Sequence, residues 1–192
     1  MKNRKVLLLD NNDSFTYNIV DYVRKMSKVD LKIQKTCDLK IVDIKKFDKI
    51  IISPGPGLPN DFPILFDVIE KYYSSKKILG ICLGHQAIGQ FFSAKFVNIS
   101  PVIHGQSHQI KIIKQSPIFN NLPESFKVGL YHSWALDSEA FPNELEITAV
   151  SENNIVMSLA AKKYAVYGIQ YHPESFMTQY GYEVLKNFVE LE

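Results

Sequence analysis

The sequence has little cysteine, with Cys37 and Cys82 as its two cysteines in 192 residues. Two cysteines do not form the dense disulfide framework of small secreted domains, so they favour a reducing compartment. The amino terminus lacks the core of a secretion signal, because the apolar run there covers residues 6–9 alone. No apolar run in the sequence is long enough to cross a bilayer. We therefore expect a cytoplasmic protein without a membrane partner.

The sequence also lacks an excess of charge of one sign. Its 22 Lys and Arg nearly balance 20 Asp and Glu, which gives a net charge of +2. These charges are interspersed, so no basic face for nucleic acid is expected. Internal repeats and low-complexity stretches are absent as well, and 192 residues suit one compact core. We expect one domain over residues 1–192.

The first half of the sequence alternates apolar strands with amphipathic helices. The predicted strands are residues 6–9, 31–36, 49–52 and 78–81. Apolar residues at helical spacing follow the first and third of them, and Asp13 or Ser14 is predicted to cap the first helix. This β-α-β-α-β order predicts a mainly parallel sheet with helices on both faces.

The second half of the sequence is richer in strands. The predicted strands are residues 96–99, 109–113, 126–130, 145–150, 155–159 and 164–171, and a closing helix is predicted around 184–189. Several of these strands are expected to pair antiparallel. The predicted fold class is α/β: a single-domain, flavodoxin-like, mainly parallel open sheet with extra antiparallel strands.

Cys82 lies in the pattern G-x-C-x-G, formed by Gly80 and Gly84 on either side of it, between an apolar strand and a helical segment. This arrangement matches a nucleophile elbow with sulfur in place of the serine oxygen. The following helix would point its amides at the thiol and favour the thiolate. A lone cysteine is more often a buried core residue, but the glycines and the strand–helix context favour a nucleophile here.

His172 and Glu174 end a strand-like segment near the carboxyl terminus. Residues two apart in an extended segment project to the same side, so both side chains can face one site. Together with Cys82 they supply a nucleophile, a base and an acceptor that orients the base. Taken alone, the pair would be read as a surface loop.

The remaining histidines indicate no second site. His104 and His108 have a spacing seen in metal sites, but no Cys or acid cluster joins them, and we expect no metal. His85 and His132 are expected to border the site without acting as the base.

Segments in five places resemble the class I (triad-type) glutamine amidotransferases, and especially the small subunit of anthranilate synthase or of aminodeoxychorismate synthase. They follow the order of that family along nearly the whole chain. The segments are Asp10–Asn18, Ser53–Gly57, Gly80–Gln86, Tyr131–Ser133 and Gly168–Ser175. The sequence departs mildly from the family at Trp134, where Leu is common, and at Tyr171, where Phe is common.

The resemblance implies that Cys82 attacks the carboxamide of L-glutamine, that His172 moves the protons and that Glu174 orients His172. Carried over residue by residue, it also implies glutamine contacts and oxyanion donors. These are Gly55, Pro56, Gly57, Leu83, Gln86, Ser133 and Trp134. A glycine-rich turn suits this role because its amides can approach a developing oxyanion, although the same turn could simply end a strand.

The resemblance further implies that the partner is the large, chorismate-binding component of a synthase, with Mg²⁺ required on that partner and no cofactor in this chain. Asp10, Asn11 and Asp13 are predicted to help form the interface, because they follow the first strand at the carboxyl edge of the sheet.

Several alternatives to this interpretation stay open. Anthranilate synthase is slightly preferred, but no residue decides between it and aminodeoxychorismate synthase, and one subunit shared by both is a further alternative. A free-standing cysteine hydrolase and a catalytically silent regulatory subunit of the same fold are further candidates.

Overall fold

The computed structural model describes residues 3–192, without the side chains of residues 100–103. In this described part, nine strands form one sheet and four α-helices cover it. The strands are β1 Arg4–Asp10, β2 Val29–Lys35, β3 Lys49–Ile52, β4 Lys77–Ile81, β5 Phe96–Ile112, β6 Ser125–Leu136, β7 Leu145–Ser151, β8 Val156–Ala161 and β9 Val166–Ile169. The helices are α1 Thr16–Arg24, α2 Ile64–Tyr72, α3 Leu83–Phe91 and α4 Gly181–Glu190.

The sheet has a parallel half and an antiparallel half. Its strand order is β2-β1-β3-β4-β9-β8-β7-β5-β6. The strands from β2 to β9 in this order are parallel, and the pairs from β9 to β6 are antiparallel. The prediction of an α/β sheet with added antiparallel strands is therefore confirmed.

Alternate residues of the central strands feed two hydrophobic cores, one on each face of the sheet. In β1, Val6 and Leu8 belong to the core that includes the apolar residues of α1 and α4. Leu7 and Leu9 point the other way, into the core that includes those of α2 and α3. This period of two explains why the strand reads as a continuous apolar run in the sequence.

The observed elements differ from the predicted ones mainly in the second half. Residues 96–99 and 109–113 were predicted as separate strands, but one long strand, β5, covers Phe96–Ile112. The predicted strand 164–171 is shorter, and β9 ends at Ile169. The N-cap position of the first helix is Phe15, which makes no side-chain cap hydrogen bond, rather than Asp13 or Ser14. The Asp13 carboxylate instead accepts the Phe15 amide at 2.8 Å in the preceding turn.

The turn between β4 and α3 depends on two glycines. A Cβ atom on Gly80 would lie 2.3 Å from the backbone carbon and oxygen of Gly84. A Cβ atom on Gly84 would lie 2.6 Å from the carbonyl oxygen of Ile52 in β3. The helix can therefore pack this closely on the two strands only because neither residue has a side chain.

Gly80→Ala should destabilise the protein strongly, because the added methyl group meets backbone that cannot move aside. We expect a loss of about 3 kcal/mol in the free energy of unfolding, at the upper end for overpacking. Urea denaturation measures it. Lys186→Ala, at an exposed position of α4, is the control and should stay within about 0.5 kcal/mol of wild type. A Gly80→Ala protein as stable as wild type would contradict the packing described here.

Candidate active site

The residues at the centre of the site lie at the carboxyl ends of the parallel strands. Asn11 follows β1, Ser53 follows β3, Cys82 follows β4 and Gln170 follows β9. Strand β6 reaches the same edge through an antiparallel bridge between Gly129 and His172. Open α/β sheets bind their ligands at this edge.

Cys82 occupies the sharp turn from β4 into α3. Its backbone has φ 51° and ψ −100°, a conformation that non-glycine residues rarely adopt. Two backbone hydrogen bonds hold it there: its amide donates to Ile169 at 2.8 Å, and its carbonyl accepts from Gln86 at 3.0 Å. The thiol side chain is largely buried at the amino end of α3, where the helix dipole favours a negative charge.

His172 connects the sulfur of Cys82 to the carboxylate of Glu174. Its Nδ1 lies 2.6 Å from Glu174 Oε1, and both residues are buried. Cys82 is the other neighbouring residue that acts on this ring. Burial alone would lower the pKa of His172, but the adjacent Cys82 and Glu174 outweigh burial and raise this pKa well above its usual value. The arrangement favours the protonated, positively charged form of the His172 ring.

The imidazole of His172 is fixed by its backbone and by two neighbouring rings. The His172 amide donates to Gly129 of β6 at 3.2 Å, and the hydroxyl of Thr178 donates to the His172 carbonyl at 2.6 Å. The rings of Tyr131 and Phe15 meet the imidazole edge-on, with centroids 4.9 and 6.0 Å away. The base is therefore held in one orientation before any substrate arrives.

His85 and His132 lie near the site but stay neutral. Burial lowers the pKa of His85 to about 3. Burial also lowers the pKa of His132 to about 4, and the charge of His172 contributes to that shift. Nδ1 of His132 donates to the carbonyl of Trp134 at 2.9 Å. Because neither ring becomes an imidazolium at neutral pH, His172 is the histidine placed for proton transfer.

A cavity of about 190 Å³ opens beside Cys82. It is smaller than the ~300–1,000 Å³ typical of drug-sized ligands, and so it suits a small molecule such as an amino acid. All the residues that the resemblance assigns to glutamine and the oxyanion line it. They are Gly55, Pro56, Gly57, Leu83, Gln86, Ser133 and Trp134, joined by Tyr131 and His132.

One wall of the cavity is formed by the turn after β3. A Cβ atom on Gly55 would lie 2.5 Å from Leu83 and 2.8 Å from Asn11, so this backbone is pressed between the helix start and the loop after β1. The Leu83 amide belongs to the first turn of α3, whose N–H groups lack intrahelical acceptors. Both segments can therefore present amides to an oxyanion next to the sulfur.

The predicted interface residues Asp10 and Asn11 are buried and bonded within the chain. One oxygen of Asp10 accepts from the Asn12 amide at 2.9 Å and from the Thr16 hydroxyl at 3.1 Å. Asn11 donates from its side chain to the Ser53 carbonyl at 2.9 Å. Asp10 therefore braces the loop after β1, and Asn11 braces the turn after β3. Both side chains are buried within this chain, and their part in a partner interface stays a prediction. Asp13 is partly exposed.

No role in the site was predicted for Gln170, Phe15 or Tyr131, although all three lie within segments that resemble the family. Gln170 is fully buried, and its Nε2 lies 3.6 Å from the Cys82 sulfur. The alternation of an extended segment could have found it, because Gln170 lies two residues before His172 and shares its side. Phe15 comes from a loop far away in the sequence, and local pattern gives no signal for its contact with His172.

Across residues 3–192, no three His, Cys, Asp or Glu side chains cluster closely enough to hold a metal ion. In the same part of the chain, the helices are too short or too polar to span a bilayer.

The chain is similar to known proteins in both sequence and fold. The chain is 42% identical over 188 residues to anthranilate synthase component 2 of Pyropia yezoensis, covering 96% of this chain and 98% of that one. It is 39% identical to the protein of the same name from Lactococcus lactis, covering 96% and 93%.

Among solved structures, a Thermoplasma acidophilum protein described as part of a GMP synthase superposes with a TM-score of 0.88 at 25% identity, covering 98% of this chain and 94% of that one. The family model for class I glutamine amidotransferases matches residues 7–191. The chain therefore belongs to the class I glutamine amidotransferase family.

Proposed function

We propose that this chain hydrolyses L-glutamine to glutamate and ammonia through a thioester on Cys82. The thiolate attacks the carboxamide carbon, a carbon–sulfur bond forms, and the carbon–nitrogen bond breaks as His172 gives its proton to the leaving ammonia. Water then gives a proton to His172 and attacks the thioester, which releases glutamate and restores the thiolate. The Gly55 and Leu83 segments supply donors to the oxyanion in both steps.

The observation that carries this proposal is the convergence of two sets of residues on one cavity. One set is the chain of contacts from Glu174 through His172 to Cys82. The other is the cavity lining, which contains every residue assigned to glutamine by motif position. The residues proposed to carry out the reaction and those proposed to bind glutamine therefore lie around the same sulfur.

We further propose that the ammonia serves a chorismate-using synthase subunit, with anthranilate synthase as the leading assignment. The support is that relatives named anthranilate synthase component 2 match this chain over nearly their full length. Aminodeoxychorismate synthase, or service to both enzymes, is the alternative. A nucleophilic thiol acts only while reduced, which fits a cytoplasmic location.

Two rival functions find less support in the site. A free-standing peptidase would not need so small a cavity beside Cys82. A silent scaffold would not need a buried histidine with a raised pKa between sulfur and carboxylate. Both features are expected of a glutaminase.

The partner surface, we propose, surrounds the exposed aromatic residues near the site. Phe176 is 93% exposed directly after the triad segment, and Tyr17 is 60% exposed two residues after Phe15. Large exposed aromatic side chains are enriched at protein interfaces. Because Phe15 touches the ring of His172, a partner bound here would also restrain the base.

Cys82→Ser should abolish glutamine-dependent synthesis by the assembled complex, because the hydroxyl is a far weaker nucleophile than the thiolate here. Synthesis from ammonium salts should remain near wild type. Product formation with each nitrogen source measures this. Cys37→Ser, at the exposed cysteine, is the matched control and should keep both activities. Equal loss of both activities in Cys82→Ser would mean that the cysteine supports the complex rather than the chemistry.

Glu174→Gln should move the alkaline limb of the glutaminase pH profile to lower pH. The carboxylate helps raise the pKa of His172, so the imidazolium present at neutral pH is lost as pH rises through that pKa. Without the carboxylate the pKa falls, and the loss begins earlier. Steady-state kcat/KM against pH measures the limb, and activity should fall less than in Cys82→Ser. An unmoved alkaline limb would contradict this role.

Phe176→Asp should weaken binding to the large synthase component by at least tenfold, because a charge would be buried in an apolar contact. Titration calorimetry measures the affinity, and urea denaturation should show unchanged stability. Val42→Asp is the control: Val42 is 67% exposed and lies beside Tyr72 and Lys76, which precede β4 at the opposite edge of the sheet. Wild-type affinity in Phe176→Asp would place the interface elsewhere.

A further inference from the structure

Gln170 is a fully buried polar residue that the mechanism above does not use. It follows β9, and its backbone N–H donates a hydrogen bond to the backbone carbonyl of Met157 in β8 at 2.9 Å. This bond fixes the backbone of Gln170. Its side chain projects toward α3, where it contacts Gln86 and lies near the sulfur of Cys82. A buried primary amide needs partners for its polar atoms, because leaving them unpaired costs free energy.

The partners of the Gln170 side chain determine which way its amide points. Its Oε1 accepts a hydrogen bond from Gln86 Nε2 at 3.1 Å. Gln86 is held in turn by the carbonyl of Trp134, to which the same nitrogen donates at 3.0 Å. The amide of Gln86 can therefore act only as donor toward Gln170, and this turns the Nε2 of Gln170 to Cys82, 3.6 Å from its sulfur.

We propose that Gln170 is a further catalytic residue of this site, whose Nε2 donates a hydrogen bond that stabilises the thiolate of Cys82. A hydrogen bond to an ionised acceptor is stronger than one to the neutral thiol, so the donor favours the charged form. The charge of the nearby His172 ring favours the same ionised form, and Gln170 adds a neutral donor that also restrains the direction of the sulfur.

The other ionisable groups around the sulfur do not duplicate this donor. On α3, burial keeps His85 neutral, and on β6, burial together with the charge of His172 does the same for His132. Glu174 is bonded to the far nitrogen of His172. A neutral amide suits the remaining position, because a second positive charge there would compete with the imidazolium.

This inference deepens the proposed glutaminase and rests on Cys82 being its nucleophile, but its test needs no glutamine. The rate of alkylation by iodoacetamide follows the thiolate fraction. The reaction is measured against pH in a Cys37→Ser background, with modification of Cys82 followed by mass spectrometry. Glutamine turnover is measured separately, so failure of the glutaminase and failure of the hydrogen bond give different results.

Gln170→Met keeps the size of the side chain and removes the donor. We expect the midpoint of its alkylation profile to rise by about one pH unit, which is roughly a tenfold loss of thiolate below the midpoint. Gln170→Asn keeps an amide but is shorter by one methylene, so its nitrogen withdraws from the sulfur and the midpoint should rise as well. This second variant serves if Gln170→Met does not fold.

Gln90→Met is the matched control, because Gln90 lies on α3 and bonds Asn60 away from the sulfur. Its profile should coincide with that of the background protein. A rise in midpoint in the Gln170 variants alone supports the proposal. Folded Gln170→Met or Gln170→Asn proteins whose profiles coincide with the background would overturn it, whatever their glutamine turnover.

Discussion

The backbone at Cys82 holds φ at 51°, a value that costs free energy for any residue with a side chain. Close packing holds it there. Gly80 and Gly84 let β3, β4 and α3 approach until no further atom fits, and β9 accepts the hydrogen bond of the Cys82 amide. This strained turn places the sulfur at the rim of the sheet beside the amino end of α3, and the remaining parts of the site are arranged around that position.

The surrounding segments can be understood as supports for that sulfur. In the loop after β1, Asn11 bonds to the turn after β3, and that turn lines the cavity. In the same loop, Phe15 packs against the ring of His172. Strand β6 binds the segment that carries His172 and also lines the cavity with Ser133. One loop and one strand therefore contact both the substrate side and the base side of the site. A partner that bound near them could influence both.

Sequence pattern predicted the parts of this structure whose causes are local. The alternation of strands and helices, the glycine-flanked Cys82 and the pairing of His172 with Glu174 all follow from spacing within short segments. The burial of Asn11 could not be predicted from local spacing, because it depends on the pairing of β1 with β3. The contact of Phe15 with His172 joins segments more than one hundred and fifty residues apart in the chain.

The same limit explains the errors in the antiparallel half. Pro101 and Gly105 interrupt the strand pattern in the sequence, so residues 96–112 do not look like one strand. They form the single strand β5 because β6 pairs with it on both sides of two shifts in register. Gln170 is an intermediate case. Strand alternation puts it on the side of His172, but only the position of α3 shows that the sulfur of Cys82 is its neighbour.

The central claim is that the thiolate of Cys82 reacts inside a cavity shaped for glutamine. The most direct measurement incubates the protein with a chloroketone analogue of glutamine and locates the adduct by peptide mass spectrometry. The account predicts one adduct, on Cys82, whose formation slows when excess L-glutamine is present, while Cys37 stays unmodified. An adduct on Cys37 instead, or labelling of Cys82 that L-glutamine does not slow, would contradict it.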